Sequence, residues 1–132
     1  MPETPGHSSL RNVDDRPVIA RGGGARTVRM ITPETGAGML NGFTVMPPGT
    51  GIPLHFHDCE ESVLVLSGRA TVEIDGQQHP AGAGDVVWIA PGLHHRFSNA
   101  GDSDLRIFWT YASAAATRTI VATGETGPVM AE

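Results

Sequence analysis

Two histidines one residue apart, His55 and His57, are followed four positions later by Glu61, and His95 stands well downstream. On a β-strand alternate side chains share a face, so the first pair presents both imidazoles on one side of the pleat. Glu61 lies at a further even offset, and a neighbouring strand can deliver His95 to the same point. Three imidazoles and one carboxylate make a donor set for one divalent transition metal, with two positions of an octahedron left open. Such nitrogen and oxygen donors suit Fe(II), Mn, Ni, Cu, Co or Zn. Glu60 is adjacent but off the even spacing. His94 is expected on the opposite face, exposed to solvent. Cys59 falls on the odd face between the ligands, His79 in a hairpin, and His7 in the polar N-terminal stretch.

These groups must be carried by short strands. From residue 18 onward, apolar runs alternate with turn signals and no segment has a helical period. Residues 26–31 and 42–46 read as strands, the second stopped by Pro47-Pro48-Gly49. Residues 62–66 form an apolar run, and 69–74 alternate, with Ala70, Val72 and Ile74 on one face. Asp75-Gly76 is a two-residue hairpin signal. Further strands are expected at 86–90, 95–99 and 105–111, the last with Leu105, Ile107, Trp109 and Tyr111 on one side. The Ala-rich stretch 112–117 admits a helical turn at most. Many short, evenly spaced strands predict an all-β sandwich or closed barrel over residues 18–132. Residues 1–17, polar and aperiodic, read as a flexible tail or arm.

Charge and composition narrow the function. The net charge is −5, and the nine Lys and Arg are scattered, so no nucleic-acid footprint is expected. No apolar run approaches a membrane span and no signal-peptide core is visible, so a membrane partner is not expected. A lone Cys59 cannot form an internal disulfide, which suits the reducing cytoplasm.

The spacing of the chemical residues resembles the two motifs of the cupin family. The first motif runs glycine, five residues, His-X-His, three or four residues, glutamate, six residues, glycine; here it is Gly49, His55, His57, Glu61 and Gly68. The second ends in a histidine and an asparagine and is met by Gly84, Gly92, His95 and Asn99, with Ala90 where the family has proline and Pro91 next to it. The resemblance covers Gly49 to Asn99. It implies a double-stranded β-helix, or jelly-roll barrel, with His55, His57, Glu61 and His95 as metal ligands and Fe(II) as the favoured ion. It further implies an enzyme acting on a small oxygen-rich metabolite (an enol, diketone or hydroxy acid), in the first place a dioxygenase. A non-redox isomerase, lyase or decarboxylase, or a non-catalytic binding or sensing protein, is compatible with the same scaffold, because fold does not fix chemistry. Small cupins of this kind imply a homodimer, with residues 18–31 supplying an edge strand.

Around the expected metal, Phe43, Val45, Phe97, Trp109 and Tyr111 are the apolar candidates for a substrate pocket, Phe97 foremost because it is two residues from His95 on the same face. Glu60 and Tyr111 are candidate general bases by residue type alone.

Overall fold

The structure, a computed structural model, describes residues 8–131; His7 lies outside them. Twelve strands account for the regular structure apart from three short 3-10 turns. They are β1 (Ile19–Gly22), β2 (Ala25–Arg29), β3 (Leu40–Met46), β4 (His55–His57), β5 (Glu61–Ser67), β6 (Arg69–Ile74), β7 (Gln77–Gly82), β8 (Val86–Ile89), β9 (His95–Asn99), β10 (Leu105–Tyr111), β11 (Thr117–Ile120) and β12 (Thr126–Pro128). They pair antiparallel into two six-stranded sheets, ordered β1-β2-β3-β10-β5-β8 and β12-β11-β4-β9-β6-β7. The late strand β10 inserts between β3 and β5, and β9 between β4 and β6, so that chain segments far apart in sequence become neighbours. This interleaving is the jelly roll that the family resemblance implies.

The core lies between the sheets. Leu105, Ile107, Trp109 and Tyr111 all point inward from β10, as the alternation predicts, and meet Val63 and Val65 of β5 and Val72 and Phe97 of the opposite sheet. The hairpin at Asp75-Gly76 forms with both residues at positive φ (50° and 81°), the geometry that suits the twist of the flanking strands. Motif glycines 49, 68, 84 and 92 also have positive φ. At Gly68 a side chain is excluded twice over, since a Cβ would come within 2.6 Å of the Asp104 carbonyl oxygen. Asn99, the last motif residue, is a buried staple: its side-chain amide donates to the Met46 and Ser103 carbonyls at 2.8 Å each and accepts from Gly101 N–H. The motifs thus specify turns as much as ligands.

Two further segments take definite form. The Ala-rich stretch is a turn, and at the start of β11 Thr117 N–H donates to the Asp58 carboxylate. Within the segment read as a tail, the described residues are anchored: Arg11 and Arg16 donate to the Met30 and Arg29 carbonyls, each at 2.9 Å, and Asn12 caps a 3-10 turn at Val13–Asp15.

Candidate metal centre

β4 and β9 lie side by side with His55 opposite His95, so two of the histidines are cross-strand neighbours. His57 follows on the same face of β4, and Glu61 opens β5 in the facing sheet, opposite Tyr111. One nitrogen from each of His55, His57 and His95 falls within a span of 4.8 Å, and all three rings are buried. The Glu61 carboxylate is buried with them, its Oε1 3.2 Å from His95 Nε2 and 3.6 Å from His57 Nε2. The structure therefore brings together all four residues of the His-X-His, Glu and His pattern.

Main-chain carbonyls aim the rings. His55 Nδ1 lies 2.7 Å from the Pro53 oxygen, His57 Nδ1 3.0 Å from that of Thr117, and His95 Nδ1 2.9 Å from that of Leu93. A carbonyl only accepts, so each Nδ1 carries the hydrogen and each ring turns its Nε2 to the common centre. Burial, then the neighbouring His95, pushes His55 down to about 2, and burial lowers His57 despite the opposing pull of Glu61. Both are held neutral, the form that ligates. His57 Nε2 is buried with no hydrogen-bond partner. At His95, Nε2 faces a Glu61 carboxylate oxygen, a contact that is attractive only with a proton or a cation between them. The orphaned imidazole nitrogen of His57 fits a metal ion.

A cavity of about 50 Å³ adjoins the cluster, lined by His55 and Glu61, by Phe97, Trp109 and Tyr111, and by Thr27, Thr44 and Met46. Phe97 and Trp109 are thus where the sequence reading puts them, and Tyr111 places its ring edge-on to His57 with centroids 4.6 Å apart. Phe43 and Val45 are a correction. They point out of the barrel, Phe43 against Phe108 at a centroid distance of 4.9 Å, while Thr44 and Met46 of the same strand face in. The reason is packing. The Trp109 indole crosses β3 where a Cβ on Gly42 would come within 2.7 Å of it, and its Nε1–H donates to Thr44 Oγ1 at 2.8 Å, which is joined in turn to Thr27 Oγ1 at 3.0 Å. Glu60 is exposed and accepts from Trp88 Nε1 at 2.8 Å, outside the cavity. His94 is exposed and stacks on Phe56. Burial, then the neighbouring Asp58, raises the Cys59 thiol, which makes it a poor thiolate donor. Among the lining residues that escaped the sequence reading, two are charged, Arg21 of β1 and Arg118 of β11. Their only signal was a position in short, polar, edge-like segments.

Two antiparallel sheets closed around a buried cluster of three histidines and a glutamate define a jelly-roll protein of the metal-site type. The family described as "Cupin domain" matches residues 42–111, and this chain belongs to it. The polyketide synthase CurC of Streptomyces cyaneus is 40% identical over 91 residues, 66% of this chain and 57% of that protein. SchB of Streptomyces halstedii is 38% identical over 98 residues, 71% of this chain and 70% of that one. Among solved structures, the polyketide cyclase RemF of Streptomyces resistomycificus superposes with a TM-score of 0.75 at 17% identity, over 93% of this chain and 86% of its own. An oxalate decarboxylase of Lactobacillus farciminis gives 0.73 at 19%, over 82% of this chain and 34% of its own. These structural likenesses establish the shared fold. The chain spans little more than half of CurC and about a third of the decarboxylase. Among the described residues no helix is long and apolar enough to cross a membrane.

Proposed function

We propose that this cupin is a metal-dependent enzyme whose substrate is a small oxygen-rich enol or diketone of the polyketide kind. In this reading His55, His57, His95 and Glu61 hold one divalent cation. The observation that carries the reading is the convergence of three imidazole Nε2 atoms, each ring aimed by a backbone carbonyl, on one buried carboxylate. A cation so held supplies Lewis acidity, which lowers the pKa of carbonyl-adjacent protons and favours the enolate. The chain contributes the rest. Glu61 supplies the negative charge that offsets the ion. Phe97, Trp109 and Tyr111 wall the cavity and keep bulk water from the reacting oxygens. The Trp109–Thr44–Thr27 chain of hydrogen bonds fixes one wall. With Glu60 turned outward, Glu61 is the one carboxylate in the lining among the described residues, and Tyr111 is the candidate general base that remains in the cavity.

The likeness to CurC, a polyketide synthase by name, supports a carbonyl-rich chain as substrate, and we propose enolisation followed by ring closure as the reaction. Oxidative cleavage by a dioxygenase is the second reading, favoured by a donor set that also accommodates Fe(II). The test loads full-length protein with Fe(II), Mn or Zn and supplies a panel of diketones. Metal-dependent deuterium uptake at the carbon between the carbonyls, with a flat oxygen-electrode trace, supports the first reading. Stoichiometric oxygen consumption would replace it with the dioxygenase, and tight binding without either would leave a small-molecule binder or sensor. We further propose a cytoplasmic homodimer, with residues 18–31 at the edge of the first sheet and the apolar outer face of that sheet as the contact. Light scattering at the monomer mass would reject the dimer.

A further inference from the structure

The polar chain on the inner face of the first sheet holds one hydrogen more than its bonds can use. Thr27 of β2 and Thr44 of β3 are cross-strand partners, both turned inward and only 3% and 7% exposed. Trp109 Nε1–H donates to Thr44 Oγ1 at 2.8 Å, and the two hydroxyls share a single bond of 3.0 Å. An indole nitrogen only donates, whereas a hydroxyl carries one hydrogen and two lone pairs. Trp109, Thr44 and Thr27 thus bring three hydrogens to two bonds. If Thr44 donates to Thr27, the Thr27 hydrogen is left over; if Thr27 donates to Thr44, the Thr44 hydrogen is. Either direction leaves one O–H without an acceptor among the described residues. Both threonines line the cavity, beside Ala25 and Met46, while His55 lines it from the facing sheet. A donor buried in such surroundings is unfavourable until an acceptor meets it, and the space open to that acceptor is the cavity.

We infer that Thr27 and Thr44 are a specificity pair, whose spare O–H receives an oxygen of the bound molecule on the wall that faces the histidines. The position of the ligand's other end rests on the metal-centred reading above; the pair itself rests on the hydrogen count. The substrate class narrows accordingly, to a chain with a further carbonyl or enol oxygen beyond those turned to the metal, as a run of alternating carbonyls provides. A buried group that must hydrogen-bond its ligand discriminates against the analogue lacking the partner atom, because the donor is then left unmet.

Heptane-2,4,6-trione and heptane-2,4-dione, which differ in one oxygen on the same carbon chain, are the probes. Isothermal titration is run on full-length protein, metal-free and Zn(II)-loaded, as wild type, as Thr27→Val with Thr44→Val, and as Thr27→Ser with Thr44→Ser. Metal content is read by mass spectrometry and folding by thermal melts. The double Val variant keeps the side-chain shapes, removes both hydroxyls and lays a methyl over the Trp109 N–H, so that this chain offers the cavity no donor. The readout is the ratio of trione to dione affinity within each protein, which cancels any general effect of the substitutions. That ratio should fall about 3- to 10-fold in the Val variant, the range for one neutral hydrogen bond, and persist in the Ser variant. The same ratio in all three proteins, or no binding of either probe by the wild type in either form, would overturn the pair. Metal uptake with a hydroxyl-independent ratio removes the pair and spares the metal reading. A hydroxyl-dependent ratio in a protein that takes up no metal does the reverse. Should the Val variant fail to fold, the indole N–H resonance of Trp109 in the wild type decides, assigned with the help of Trp88→Phe. An acceptor at the end of a hydrogen-bond chain polarises the bonds behind it, so the trione should move that resonance downfield of its position with the dione. Coincident positions would overturn the pair.

Discussion

The first sheet has two faces of opposite and unexpected character. Its inner face, which closes the barrel, carries Thr27, Gly42, Thr44 and Glu61 among the aromatics. Its outer face carries an apolar row across four strands, Phe43, Phe108, Leu64 and Val86, each paired in register with the next. Val86 and Trp88 at the β8 edge are each 63% exposed. An antiparallel sheet covering a plain core reads apolar inward and polar outward. Here a working interior draws polar groups in and satisfies them with one another, while the apolar residues that alternate with them are left outside, where a partner can cover them.

The contrast can be broken from the inside first. His95→Ala should lower metal affinity by more than about 100-fold, exceeding the loss typical of groups that merely orient a ligand; competition titration against a metal-sensitive dye measures it, and unchanged affinity would end the four-ligand assignment. Thr44→Val comes next. It leaves the Trp109 indole N–H and the Thr27 hydroxyl without their partner and should cost about 1–3 kcal/mol in chemical denaturation; a neutral result would mean that the inner polar chain contributes nothing.

Acid probes the same face. His55 is pushed down to about 2 and His57 is held below the usual 6.5, so as pH falls below 6.5 the unfolded chain binds protons that the folded chain refuses. Metal-free protein should therefore lose stability as pH falls from 6.5, by up to about 1.4 kcal/mol per pH unit for each histidine still neutral in the fold. Melting temperatures that stay level over that range contradict the burial argument. The outer face should answer least: Val86→Ser is expected to change monomer stability by no more than about 0.5 kcal/mol while weakening self-association in sedimentation. A large stability loss with an unaltered mass would make the row part of the core.

The same contrast explains what the sequence made legible. The two motifs announced the site because ligand spacing and turn glycines are local, and the Asp75-Gly76 hairpin and the alternation in β10 are equally local. Phe43 and Val45 were assigned inward on apolarity, the rule that this sheet inverts; only the register with Trp109 reveals that Gly42 and Thr44 face in. Arg118 lay hidden because Thr-Arg-Thr-Ile, although rich in β-branched residues, is too short to show which face turns inward, and its register is set by pairing with β12 and with the distant β4. Arg21 sits on an edge strand beside three consecutive glycines, where no pattern distinguishes a lining residue from a loop.

The oxygens that fix the three imidazoles belong to the peptide units of residues 53, 93 and 117. No codon change can delete a peptide oxygen. Descendants of this gene are thus at liberty to exchange the walls around the histidines, residue by residue, and inherit their alignment intact; the chemistry can drift while the anchorage stays put.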